Sequence, residues 1–280
     1  MALRQLRPTL ALIALGAVAL LAVLPGCGGE GAGEPSPPVE SLAEASERAG
    51  VEWYLPPEEI PGVRQRLVGS GPDAAVLLWR EGERPPREAI VYLHSWLPLP
   101  PSAELRQERR YLRRGRSIVY PVYQDPDTPA GQVRRHAVAG IAAGLEAIGA
   151  DPRTLVAIGA TSGGALAFDY AALAPRLGLP RPRAVIGVHP GRNPDGVIPP
   201  TDLSRIPPGT RLMAITSEDT RIPDGEAQAR ALLGGATRVP RRNRTLLRAT
   251  ISGGKRSTDS TRNGDRIRLA IDYFIGKISR

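Results

Sequence analysis

The stretch Leu155-Val156-Ala157-Ile158-Gly159-Ala160-Thr161-Ser162-Gly163-Gly164-Ala165-Leu166-Ala167 constrains this chain more than any other. An apolar, partly β-branched run stops at a glycine, a turn of small residues follows, and a small-residue amphipathic run begins. That pattern predicts a strand, a sharp turn and a helix packed closely on the strand. A hydroxyl stands at the tip of the turn. Counted from Gly159 to Gly163 it belongs to Thr161; with the strand one residue longer it belongs to Ser162.

The flanking sequence repeats the alternation. Strands are predicted at 74–79, 89–93, 117–123, 153–159, 183–188, 210–216 and 245–251. Helices are predicted at 41–49, 102–114, 131–149, 162–174, 227–233 and 266–278. The first helix has Ser41 followed three residues later by Glu44, a capping-box spacing. Strands interleaved with helices imply an α/β fold, a mostly parallel central sheet with helices on both faces. Hydrophobic residues make up 41% of the chain but aromatics only 4%, so aliphatic side chains must fill its interior. Ligands of such sheets bind beyond the carboxyl ends of the strands, so the residues directly after each strand matter most. The Pro/Gly-rich stretch 190–208 is placed to form a small cap there.

The N-terminus reads as a targeting segment. Arg4 and Arg7 form a positive n-region, and residues 10–24 form an apolar run too short for an ordinary span. Leu24-Pro25-Gly26-Cys27 then resembles a bacterial lipobox, which implies cleavage before Cys27 and its lipidation. Several acyl chains on one residue hold a protein at a membrane, whereas a single chain does so marginally. The expected organisation is a signal peptide at 1–26, a Gly/Pro/Glu linker at 27–45 and one domain at 46–280, anchored to the membrane outside the cytoplasm. Cys27 is the single cysteine, so no intramolecular disulfide forms. The formal charge of +9 is mostly arginine, with lysine only at 255 and 277. No basic-aromatic motif accompanies that charge, which argues against nucleic acid as a partner.

The turn at 159–164 and the helix after it resemble the nucleophile elbow of the α/β-hydrolase superfamily, in its secreted esterase and dienelactone-hydrolase branches. The resemblance covers roughly residues 50–280. It assigns Gly159, Gly163 and Gly164 to the close approach of strand and helix. It places Thr161 in the nucleophile slot, with Ser162 as the alternative register. His94-Ser95-Trp96, after a predicted strand, falls where the family supplies an oxyanion-hole amide, so the Trp96 and Ser162 N–H groups become the expected donors. The segment 212–223 resembles the acid-bearing turn and assigns the carboxylate to Asp219.

The base is missing from its usual place. No histidine follows His189, and the loop after the last strand offers Lys255 instead. Bringing a lysine from about 10.4 to about 7 costs ~4.6 kcal/mol, and Asp219 beside it would favour the charged form. An ion pair is the expected outcome. His189, at the end of the strand after the elbow helix, is the other candidate base. His94, His189 and Asp219 have no metal-ligand spacing, and His136 reads as an ordinary helix residue.

The resemblance implies ester or amide hydrolysis through an acyl-enzyme, without a cofactor. This chain departs from it at two of three triad positions. The expectation is therefore a membrane-tethered hydrolase-fold protein with impaired catalysis that binds a small acyl or ester ligand. The alternative is a working esterase that uses Thr161 or Ser162 with His189 or Lys255. A structural envelope protein with no ligand site is held in reserve.

Overall fold

In the computed structural model, residues 40–95, 97–105, 109–124, 128–192, 200–217, 224–249 and 261–276 are described, within one compact unit running from Glu40 to Arg280. Its strands are β1 (Val63–Val68), β2 (Ala75–Arg80), β3 (Ala89–Leu93), β4 (Ser117–Pro121), β5 (Val156–Ala160), β6 (Ala184–Val188), β7 (Arg211–Ser217) and β8 (Arg244–Ala249). They form a single sheet in the order β1-β2-β4-β3-β5-β6-β7-β8. The pairings β1–β2 and β2–β4 are antiparallel, and the remaining five are parallel.

The helices are α1 (Leu42–Ala49), α2 (Pro101–Glu104), α3 (Arg109–Arg113), α4 (Ala130–Ile148), α5 (Ser162–Leu177), α6 (Gly225–Gly235) and α7 (Thr261–Gly276). Alternation along the central strands divides the core in two. Leu77, Val91, Val119, Ala157, Val185 and Ala214 pack with α4, α5 and α6. Val76, Ile90, Ile118, Ile158, Ile186 and Ile215 pack with α1, α3 and α7. Both faces of the strands are covered, which is why they read as continuous apolar runs rather than alternating ones.

Differences from the sequence reading have physical reasons. Val63–Val68 carries Arg64 and Arg66 and gives no apolar run, yet it pairs as an edge strand, where charge is tolerated. The predicted helix 102–114 resolves into α2 and α3. At Ser41 the capping box forms as expected: Ser41 Oγ accepts the Glu44 N–H at 3.2 Å, and the Glu44 carboxylate accepts the Ser41 N–H at 2.9 Å. Of the stretch 190–208, Leu203 and Ile206 are buried in the same core as α5 and α6. Among the described residues no helix is long and apolar enough to cross a membrane. The leader, Cys27 and most of the linker lie outside the described residues.

Candidate active site at the β5–α5 turn

The turn is built by glycines. A Cβ on Gly159 would lie 2.1 Å from the Gly163 carbonyl oxygen, and one on Gly163 would lie 2.1 Å from the His94 carbonyl oxygen. Side chains at these positions would separate strand from helix, and helix from the loop after β3. The positive φ of the turn falls on Thr161, at φ 49° and ψ −116°. A β-branched residue held there stores roughly 1–3 kcal/mol of strain. The surrounding hydrogen bonds hold it in place. Thr161 N–H donates to the Val188 carbonyl at 2.9 Å, and Gly191 N–H donates to the Thr161 carbonyl at 3.1 Å. Ser162 is the first residue of α5, and its buried hydroxyl has no hydrogen-bond partner among the described residues.

The loop after β3 faces this turn and is organised differently. His94 is fully buried and stacks on Tyr123, with ring centroids 4.0 Å apart, and on Tyr120 at 5.4 Å. Its Nε2 lies 2.7 Å from the Val122 carbonyl oxygen and its Nδ1 lies 2.7 Å from that of Ser95. Burial pushes the imidazole below its ordinary value, against the pull of the nearby Glu104 charge and the carbonyls. Both nitrogens are turned to backbone, so His94 acts as a pillar for the loop. Tyr123 adds to it by donating to the His94 carbonyl at 2.5 Å. Ser95 N–H and Oγ–H both point at Glu104 Oε1, at 3.3 and 3.0 Å. The Ser95 amide is thus directed to a carboxylate. Trp96, whose N–H the sequence reading pairs with that of Ser162 as the expected donors, lies outside the described residues.

His189 directly follows β6, the strand beside β5, and it too has positive φ, at 48°. Its N–H donates to the Ile215 carbonyl at 2.7 Å, and its buried Nδ1 has no hydrogen-bond partner among the described residues. Burial lowers its pKa, so the ring is neutral near pH 7. The pairing of Ala160 with Val188 brings His189 and Thr161 to one edge of the sheet. No imidazole is hydrogen-bonded to Thr161, and no carboxylate to His189, among the described residues. Asp219 and Lys255 lie outside them. His136, on α4, contacts Asp73 through Nδ1 at 2.5 Å, away from the turn. Among the described residues there is also no cluster of three or more metal-ligating side chains.

One feature of this edge is absent from the sequence reading. Asp169, on α5, has no exposed surface and is held bidentately by Arg192, at 2.6 and 3.0 Å, with Arg134 of α4 at 3.3 Å. Arg192 N–H also donates to Gln228 Oε1 of α6 at 2.7 Å. These contacts tie the 189–192 loop to α4, α5 and α6, and that loop carries both His189 and the amide bonded to Thr161. The available signal was a lone aspartate inside the apolar run 165–174. A cavity of about 440 Å³ lies next to the cluster, lined by Arg192, Thr201, Gln228 and the apolar Leu203 and Leu232.

No protein-family profile matches the chain, and no curated protein matches it. Solved structures do resemble it. A bacterial heroin esterase superposes with a TM-score of 0.59 at 16% identity, over 80% of this chain and 86% of the other. Carboxyl esterase 2 from the mycorrhizal fungus Tuber melanosporum gives 0.57 at 16% identity, over 81% and 90%. A putative dienelactone hydrolase from Klebsiella pneumoniae gives 0.54 at 13% identity, over 76% and 98%. With its mostly parallel eight-stranded sheet flanked by helices and these neighbours, the chain has the α/β-hydrolase fold.

Proposed function

We propose that this is a membrane-tethered α/β-hydrolase-fold lipoprotein, held outside the cytoplasm by lipid on Cys27, with impaired catalysis and a retained capacity to bind a small acyl or ester ligand. The observation that carries the reading is the Thr161 hydroxyl at the strained turn, to which no imidazole is hydrogen-bonded among the described residues. Attack on an acyl carbon requires that this hydroxyl lose its proton in the transition state, and a positioned base contributes roughly 10²–10⁴-fold to such a step. The loop facing the turn supports the same reading. Its Ser95 amide donates to the Glu104 carboxylate, so that N–H is already engaged.

The expected outcome with p-nitrophenyl butyrate is hydrolysis by the purified protein no faster than by a Thr161→Ala/Ser162→Ala variant. Saturable turnover abolished by Thr161→Ala would overturn the reading. One observation favours the second reading, an active esterase. His189 is neutral, its Nδ1 is unpartnered, and it stands on the adjoining strand. In that case turnover falls in Thr161→Ala or Ser162→Ala, according to which hydroxyl attacks, and in His189→Gln, and follows a pH profile set by an imidazole. Replacing Lys255 with methionine separates the lysine version, because only there does that change matter.

A further inference from the structure

We propose that the face bearing Tyr54, Leu55 and Leu97 docks on the bilayer to which the chain is tethered, so that the loop after β3 is held against lipid. This rests on the membrane-anchoring reading above and adds an orientation to it. Tyr54 is 62% exposed, Leu55 44% and Leu97 44%. They come from two segments far apart in sequence that lie side by side, since Tyr54 N–H donates to the Pro98 carbonyl at 2.9 Å and Glu58 N–H to Ser102 Oγ at 3.2 Å. The second segment continues the His94–Ser95 loop, so the apolar surface borders the candidate site.

The start of the domain lies beside the same surface. Leu42 N–H, the first of α1, donates to Glu59 Oε1 at 3.3 Å, and the other oxygen of Glu59 accepts from Gln65 at 3.2 Å. Chain arriving from Cys27 therefore joins the domain next to residues 54–59. Residues 27–39 span at most ~45 Å when extended. A lipid on Cys27 thus keeps this surface within a domain's width of the bilayer, where even a small apolar contact is occupied because the tether raises its effective concentration. Tyrosine suits the headgroup layer and leucine the layer below it.

The test uses residues 27–280 carrying a hexahistidine in place of the lipid, bound to phosphatidylcholine–phosphatidylglycerol vesicles that contain a nickel-chelating lipid. This tether works whether or not Cys27 is lipidated, so a failure of docking is separable from a failure of anchoring; the mass of the full chain purified from membranes reads the latter. Amide exchange at 53–59 and 97–102 is expected to slow at least threefold on the vesicles relative to free protein. Tyr54→Ser/Leu55→Ser/Leu97→Ser, all exposed positions, should return those amides to the free rate while the melting temperature stays unchanged. Protection that appears elsewhere, or nowhere, on the tethered protein would overturn the proposal. So would protection of the same amides that grows with protein concentration in the absence of vesicles, which would mean a second copy covers this face.

Discussion

Two loops meet at the carboxyl edge of the sheet, and they treat their polar groups in opposite ways. The β5–α5 turn holds Thr161 in a strained conformation at the edge, with glycines at 159 and 163 allowing the approach. The loop after β3 turns its groups inward: both His94 nitrogens face backbone carbonyls, and Ser95 is bonded to Glu104. The geometry of the turn is therefore what packing helix on strand requires, while the polar groups opposite it serve internal bonding. Turn geometry is a statement about packing. Activity depends on where protons can go, and the two are separable.

The largest effect should come from Gly163→Ala. Its methyl would meet the His94 carbonyl at 2.1 Å, forcing the two loops apart, and a loss of roughly 4 kcal/mol or more in urea denaturation is expected. A loss below about 1 kcal/mol would mean that the two loops do not pack as closely as described. Asp169→Ala should cost about 3 kcal/mol by leaving guanidinium groups of Arg192 and Arg134 without their buried carboxylate. If the 189–192 loop supports the turn, the same variant should broaden the Thr161 amide signal in NMR spectra. Thr161→Gly sharpens the comparison in the other direction. Relief of ~1–3 kcal/mol of strain, less the ~0.5–1 kcal/mol entropic cost of glycine, should raise stability by about 1 kcal/mol.

The smallest effect is with pH. Burial lowers the pKa of both His94 and His189, so the unfolded chain takes up protons near pH 6.5 before the folded one does. Stability is then fully present above about pH 6.5 and declines as pH falls below it, by at most ~1.4 kcal/mol per unit for each imidazole. Denaturation midpoints at pH 7 and pH 6 should differ slightly in that direction, and His189→Gln should reduce the slope.

Most of the fold could be read from the sequence because its evidence is local. Aliphatic runs such as 89–93 and 183–188 are strands covered on both faces, and the Gly159–Gly163 spacing marks a helix that must approach a strand closely. What could not be read depends on partners distant in the chain. Strand β1 looks like a charged loop until β2 is beside it. The Asp169–Arg192 pair joins residues 23 positions apart and leaves only an aspartate in an apolar helix as its trace. The Ser95–Glu104 bond turns a nominated oxyanion-loop residue toward a carboxylate, and nothing in either residue alone announces it. Asp219, Lys255 and Trp96, on which the sequence reading of the triad and the oxyanion hole rests, fall outside the described residues.

Intact-mass spectrometry after incubation with an alkyl fluorophosphonate reads the nucleophilicity of the turn hydroxyl without requiring the natural substrate. If no base takes its proton, as proposed, Thr161 should remain unmodified over hours at pH 8, as should Ser162. A stoichiometric phosphonyl adduct on the peptide containing residues 155–167, lost in Thr161→Ala, would contradict the absence of a functional base at this site.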